Sequence, residues 1–337
     1  MKLKDIAELV GYSQATVSNA INGRGRMSDE VRKEILAKCT EFNFVPNSAG
    51  RSLRLRRADA VGVIYAPSFA ELFGNVFYAR IMEGLAEVFG EVGLDLILGN
   101  RTDSDGMPSV VRQGKVDALV VLAGVFDTKT YKVLQDCPVP VCVVDGNAGL
   151  PNADTLTSDG YNGARLVAEH FAEYGHRHLV MVAYDSELYN IEQRIAGFLS
   201  GLRQAGLPAN EGDAVIRVKD NVEAIEQVTK RLSGEDSPTG LFAINDTLAC
   251  YLVDELTRKG YQIPSDLSVI GFDNDPFAES CRPPLTTVGL DKREFGLLSA
   301  RMVVDRLADA DRIPSHRVQP TRLISRDSVC SPRKARQ

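Results

Sequence analysis

The sequence predicts a small all-α head carried on an α/β body of two doubly wound parallel-sheet lobes. Three observations predict this. The length of 337 residues exceeds that of one domain, for which roughly 150 residues is usual. Residues 1–57 hold 11 Lys and Arg against 6 Asp and Glu, a balance of +5 in a chain of net charge −6, so residues 58–337 carry −11. From Val61 onward, short apolar runs alternate with amphipathic segments in two successive sets. The 44% hydrophobic and 25% charged content excludes a mainly disordered, collagen-like or coiled-coil chain.

In the head, Ile6, Ala7, Leu9 and Val10 lie at helical spacing, and Gly11 follows where a helix ends in a left-handed residue. Ser13 is placed to cap a second helix, Gln14 to Ile21, with Val17, Ala20 and Ile21 inward. After the loop Asn22-Gly23-Arg24-Gly25-Arg26, a third helix opens on Ser28, with Asp29 and Glu30 set against its dipole. Ala7, Gly11 and Val17 match the helix-turn-helix spacing, in which two helices cross closely at a small residue. The outward positions Gln14, Ala15, Thr16, Ser18 and Asn19 are short polar or small groups suited to base edges and phosphates. A solvated basic tail or a three-helix protein-binding module remains the plainer alternative.

Val45 to Arg57 follow the head. Pro46 stops the preceding helix, Asn47 is placed to cap a short new one, and only Leu53 and Leu55 between Pro46 and Arg57 are bulky and apolar. A helix this short is marginal in water, and Gly50 weakens it further. Arginines flanking an exposed leucine suit a DNA minor groove, which accepts cations along the phosphates and an apolar wedge between bases. The same residues also make a flexible linker.

In the body, apolar runs at 61–65, 94–98, 116–122 and 139–145 predict a first set of strands; runs at 178–184, 214–218, 241–246 and 267–273 predict a second. Helices are expected around Ile81 to Phe89 and near 192–205, 222–232 and 247–259. This alternation describes parallel sheets covered on both faces. Polar residues gather at the C-terminal strand ends: Asn100, Arg101, Asp145, Asp185, Asn245, Asp246, Asp273 and Asp275. Ligands of open α/β sheets bind at that edge. With the aromatic pair Phe77 and Tyr78, these groups suit a small polyhydroxylated or nucleoside-like ligand. Taken singly, each also reads as a turn residue or a helix cap.

The six cysteines lack any Cys-x-x-Cys pair and read as reduced thiols, and the four histidines suggest no metal cluster. No catalytic residue, metal or cofactor is assigned. The alternative of an enzyme acting on a nucleotide sugar through Asp273 and Asp275 lacks a glycine-rich phosphate loop and makes the head incidental. No apolar run reaches about 18 residues and Met1 to Asp5 lacks a signal-peptide core, so a cytoplasmic protein with no membrane partner is expected.

Residues 2 to about 330 resemble the lactose/galactose repressor (LacI/GalR) family of bacterial transcription regulators. The resemblance is carried by Lys4-Asp5-Ile6-Ala7, Ser13 to Ser18, Val45-Pro46-Asn47, Arg51-Ser52-Leu53, Asp159 to Ala164, Gly175-His176-Arg177, Arg194 to Phe198, Asn245-Asp246, Leu267 to Asp273 and Pro283 to Val288. It implies a body similar to periplasmic binding proteins and a homodimer that binds double-stranded DNA at a palindromic operator. Residues 1–45 would be the DNA-binding domain, 46–57 the hinge and 331–337 a tail. The body, 58–330, would comprise an N-lobe (about 58–160 and 289–318) and a C-lobe (about 161–288 and 319–330). By the same resemblance, Gln14, Ala15 and Asn19 face bases, while Ser13, Thr16 and Ser18 hold phosphates. Asn47, Ala49, Gly50 and Leu53 lie in the minor groove, with Leu53 as the wedge. Effector contacts would come from Phe77, Tyr78, Asp145, Arg194, Asn245 and Asp273, and the effector would be a carbohydrate.

Four departures bear on that transfer. Asn19 stands where many relatives have arginine, which favours adenine over guanine. Lys2 replaces a capping Thr or Ser, and Val76 replaces a frequent proline before the aromatic pair. The tail after Cys330 has no leucine heptad for a tetramer. A DNA-binding protein whose body only dimerises stays open, as does an effector whose carboxylate or phosphate is held by Arg194.

Overall fold

The computed structural model describes residues 2–21, 23–44, 57–65, 76–99, 106–122, 128–146, 149–234 and 236–333, which form two compact units, 1–57 and 58–337. In the first, α1 (Leu3–Val10), α2 (Gln14–Ile21) and α3 (Asp29–Glu41) pack around buried Ile6, Ala7, Val17, Ala20, Ile35 and Cys39. Local chemistry sets each boundary. Lys2 offers no side-chain acceptor, and the Asp5 carboxylate instead takes the Lys2 backbone N–H at 2.7 Å. Gly11 ends α1 at φ 71°, a left-handed conformation that costs a residue with a Cβ. The Ser13 hydroxyl accepts from the Thr16 N–H at 3.1 Å, and the Ser28 hydroxyl from the Val31 N–H at 3.3 Å.

The body contains two six-stranded sheets. The first joins β1 (Ala60–Tyr65), β2 (Asp95–Leu98), β3 (Ala118–Leu122), β4 (Val141–Val144), β5 (Asp154–Ser158) and β11 (His316–Gln319) in the order β11-β5-β4-β3-β1-β2. The second joins β6 (Leu179–Tyr184), β7 (Val215–Val218), β8 (Gly240–Ala243), β9 (Ser268–Asp273), β10 (Thr286–Gly289) and β12 (Arg322–Ile324) in the order β12-β10-β9-β8-β6-β7. Val61 pairs with Ala118, Leu119 with Val141, Leu179 with Gly240 and Gly240 with Ser268. All pairings are parallel except β10 with β12, an antiparallel edge to a sheet expected to be wholly parallel. The fully buried apolar β3 and β4 show why these strands read as unbroken hydrophobic runs.

The chain crosses between the sheets three times: after β5, after β10 and after β11. The crossings are bonded to one another. The Asp159 N–H donates to the Gln319 carbonyl at 2.8 Å, the Thr321 hydroxyl to the Asp159 carbonyl at 2.9 Å, and the Gln319 amide to the Asp291 carbonyl at 3.1 Å.

Each lobe is braced by one close helix pair. In the first, α4 (Val76–Glu91) meets α13 (Lys292–Ala308) where Gly84 lies under the Arg293 carbonyl and Gly296 under that of Ile81. In the second, α7 (Gly160–Glu173) meets α8 (Tyr189–Gln204) where Gly197 lies against the Tyr161 backbone. At Gly201, a Cβ would stand 2.7 Å from that of Ala168. Backbones approach this closely only without side chains between them. Gly197→Ala is expected to destabilise the body by about 2–3 kcal/mol through overpacking. Gly90→Ala, on α4 with open space around its Cβ, should stabilise by about 0.5–1 kcal/mol. Urea unfolding of the two variants checks both signs.

Candidate functional site

Two groups of residues carry the chemistry, one in each compact unit. On α2, Val17 and Ala20 are buried, while Gln14, Ala15 and Asn19 are exposed and Thr16 and Ser18 half-buried. At helical periodicity Gln14, Ala15, Ser18 and Asn19 share one face about 140° wide, opposite the core. Thr16 falls at its flank, and its hydroxyl bonds that of Ser13 at 2.9 Å. Ser13 therefore has a structural job as the α2 cap, besides any contact it makes outside the chain. Asn47, Ala49, Gly50 and Leu53 lie outside the described residues, as do Asn100 and Arg101.

The second group lies at the C-terminal ends of the strands in the body. Asp145, directly after β4 at φ 59°, is buried. One of its oxygens accepts from Asn190 Nδ2 at 3.2 Å, and the other takes the Ser158 hydroxyl at 3.5 Å. Asn190 belongs to α8 of the second lobe, so this bond bridges the lobes. Burial pushes the Asp145 carboxyl up to about 7, opposed by the Arg194 charge and reinforced by Asp273. Tyr78, half-buried on α4, packs edge-on against Tyr65 with centroids 4.9 Å apart. Its phenol is held well above its usual range by burial first, then by the Asp145 charge.

Arg194, also on α8, reaches across its own lobe. One terminal nitrogen donates to the Ile244 carbonyl at 2.6 Å and the other to Asp273 Oδ1 at 3.1 Å, while the guanidinium lies 3.7 Å over the Phe272 ring. Its buried Nε has no hydrogen-bond partner among the described residues. Burial raises the Asp273 carboxyl, and Arg194 and Lys292 act against that rise. Lys292, at the start of α13 in the first lobe, donates to Asp275 of the second at 2.5 Å. Both side chains are buried, at 6% and 5% exposure, so a second bond joins the lobes as an ion pair.

The structure thus brings Tyr78, Asp145, Arg194 and Asp273 together. Phe77 is different: its ring is buried in the core of the first lobe, 6.0 Å from the Lys292 ammonium. Asn245 caps α11 (Asp246–Arg258), its side-chain oxygen accepting from the Leu248 N–H at 2.8 Å. Asp246 is wholly buried as a brace, accepting from the Thr287 hydroxyl at 2.6 Å and the Asp275 N–H at 2.7 Å. Asp273 and Asp275 each pair with a buried cation, Arg194 and Lys292 respectively. Among the described residues, no group of three His, Cys, Asp or Glu side chains fits a metal ion.

Sequence reasoning missed Asn190 and Lys292. Asn190 precedes Arg194 by four residues, a spacing that puts both on one helix face, and that signal was available. Lys292 carried none, because its partner lies on another element.

Residues 2–47 match the family model described as bacterial regulatory proteins of the lacI family, and residues 168–329 match a periplasmic binding protein-like domain. The chain thus joins a LacI-family helix-turn-helix domain to a periplasmic-binding-protein-like domain. It is 29% identical to the HTH-type transcriptional regulator DegA of Bacillus subtilis over 300 residues, 87% of each chain. It is 27% identical to the HTH-type transcriptional repressor PurR of Photobacterium profundum over 312 residues, 91% of this chain and 92% of that one. A solved structure of the transcriptional regulator CelR in complex with cellobiose superimposes with a TM-score of 0.73 at 25% identity, over 98% of this chain and 100% of the other. A chain that carries this DNA-binding domain is a transcriptional regulator, and the relatives named above are regulators rather than enzymes. No helix among the described residues is long and apolar enough to cross a membrane.

In the body, Lys292→Met would leave the buried Asp275 carboxylate unpaired. The expected loss is about 3–5 kcal/mol in urea unfolding. Pairing it with Asp275→Leu should restore most of that stability, because the desolvation penalty disappears with the second charge.

Proposed function

We propose that this protein is a homodimeric repressor that reads a palindromic operator and whose affinity is switched by a sugar or sugar derivative bound between its lobes. The observation that carries the effector reading is Asp145. It is a buried carboxylate at the lobe junction whose side-chain bonds come from two neutral donors, Asn190 and Ser158, rather than from a cation. Hydroxyl groups of a polyol would satisfy its remaining lone pairs, beside Tyr78 and the Asn245 amide. The sugar in the CelR complex and the repressor role of PurR support the same reading.

In the head, Gln14, Ala15 and Asn19 would meet base edges, with Ser13, Thr16 and Ser18 at phosphates and Asn47, Ala49, Gly50 and Leu53 in the minor groove. Effector closure about the three crossings would favour one spacing of the paired hinges. The difference in effector affinity between the open and closed forms supplies the coupling to DNA.

Selection of full-length protein on a randomised duplex pool should recover a twofold-symmetric site, and gel shifts on that site across a panel of sugars should find one that changes affinity. Recovery of no palindrome would remove the DNA reading. A palindrome whose affinity no sugar alters, with no sugar raising the thermal midpoint, would favour a body that only dimerises.

Asp145 adds a pH signature. Its folded value of about 7 lies above the ordinary carboxylate range, so the contribution favours folding at low pH and is lost as pH rises toward 7. Asp145→Asn should therefore match the parent near pH 4 and exceed it in thermal midpoint at pH 8. A polyol that binds the ionised carboxylate would bind more tightly at pH 8 than at pH 6 and release a proton on binding, measurable by calorimetry in buffers of different ionisation enthalpy.

A further inference from the structure

The exposed Asn19 side chain does not stand alone on α2. The backbone after the helix returns against it: the Arg24 N–H donates to the Asn19 carbonyl at 2.9 Å and the Gly23 N–H to that of Ala20 at 3.3 Å. This return brings Gly25, at φ 79°, under the Asn19 amide. A Cβ built at Gly25 would stand 3.2 Å from Asn19 Nδ2 and 3.4 Å from its Cβ and Cγ. Contacts that short force the neighbour to shift, and the neighbour here is the side chain proposed to read a base. Gly23 makes the comparison internal. It also has positive φ, 65°, yet nothing lies within 4 Å of where its Cβ would be.

We propose that Gly25 is a positioning residue for operator selection, because its missing side chain lets the turn backbone hold the Asn19 amide in a base-reading rotamer. An asparagine that reads adenine must present its carbonyl and amide in one plane to N6 and N7, so a preset rotamer converts directly into discrimination. A side chain at Gly25 would press on that amide from within the chain and shift its plane. This inference rests on the base-reading role of Asn19.

The test measures full-length Asn19→Ala, Gly23→Ala, Gly25→Ala and Gly25→Asn against the pool-selected operator duplex and its single-base-pair variants. Gly25→Asn is included because asparagine tolerates positive φ, which lowers the backbone strain that alanine would incur. Thermal midpoints report whether each variant folds. Asn19→Ala should relax preference at one base pair in each half-site. Both Gly25 variants should relax preference at that same pair by about tenfold while leaving the others unchanged. Gly23→Ala, with comparable backbone strain, should leave preference intact, and Asn19→Ala combined with Gly25→Ala should add nothing at that pair. Uniform weakening on every duplex by the Gly25 variants, matching Gly23→Ala, would overturn the inference while leaving Asn19 as a reader. If Asn19→Ala itself relaxes no base pair, the base-reading role fails first and the inference falls with it.

Discussion

Three chain crossings between two sheets are the constraint on which the rest of this body depends. A single linker would let the lobes separate, whereas three strands at one edge, hydrogen-bonded through Asp159, Gln319, Thr321 and Asp291, reduce their relative motion to a hinge. Every group that spans the lobes must then meet its partner along one closing path. Asp145 meets Asn190 in this way, and Lys292 meets Asp275. The glycine-lined contacts of α4 with α13 and of α7 with α8 make each lobe stiff, so displacement at the cleft is carried to the crossings rather than absorbed by a soft interior.

The cleft is built from groups that also serve the fold. Arg194 holds the Ile244 carbonyl, Asp273 and the Phe272 ring, and so ties α8 to the ends of β8 and β9. Asp246, pushed well above the usual carboxylate range by burial and then by the Asp273 charge, fixes Thr287 and the start of α12 (Pro276–Ser280). Gly271 is required there, since a Cβ would collide with the Asp246 carboxylate. This wall of the cleft is therefore set before any ligand arrives.

Much of this was legible because the relevant signals are local. The head's boundaries follow from Gly11, Ser13 and Ser28, and eight body strands follow from apolar runs. The strands that left no such signal are instructive. In β5, Asp154-Thr-Leu-Thr-Ser158 is buried throughout yet polar in composition, because Arg306 and Arg312 satisfy Asp154 from residues far along the chain. The short edge strands β11 and β12 are partly exposed and carry cations. Asn245 and Ser13 show the converse difficulty. A polar residue before a helix has the same appearance whether its oxygen caps that helix or faces a ligand, and here both oxygens cap. Of the cross-lobe partners, Lys292 was hidden because its role exists only once the two lobes meet, whereas Asn190 was marked by its spacing from Arg194.

The charge arrangement of the cleft bears on what it can admit. Among the described residues, the two buried cations of the cleft are paired, Arg194 with Asp273 and Lys292 with Asp275, while Asp145 bonds neutral donors. An anionic ligand that drew Arg194 or Lys292 away from its carboxylate would leave that carboxylate buried without compensation, at a cost of about 3–5 kcal/mol. It would also face the Asp145 charge across a medium that screens poorly. A neutral polyol avoids both penalties, because its hydroxyls can donate to Asp145 without disturbing either ion pair. Arg194, which in sequence could equally have held a phosphate or carboxylate, bonds Asp273 in the folded chain.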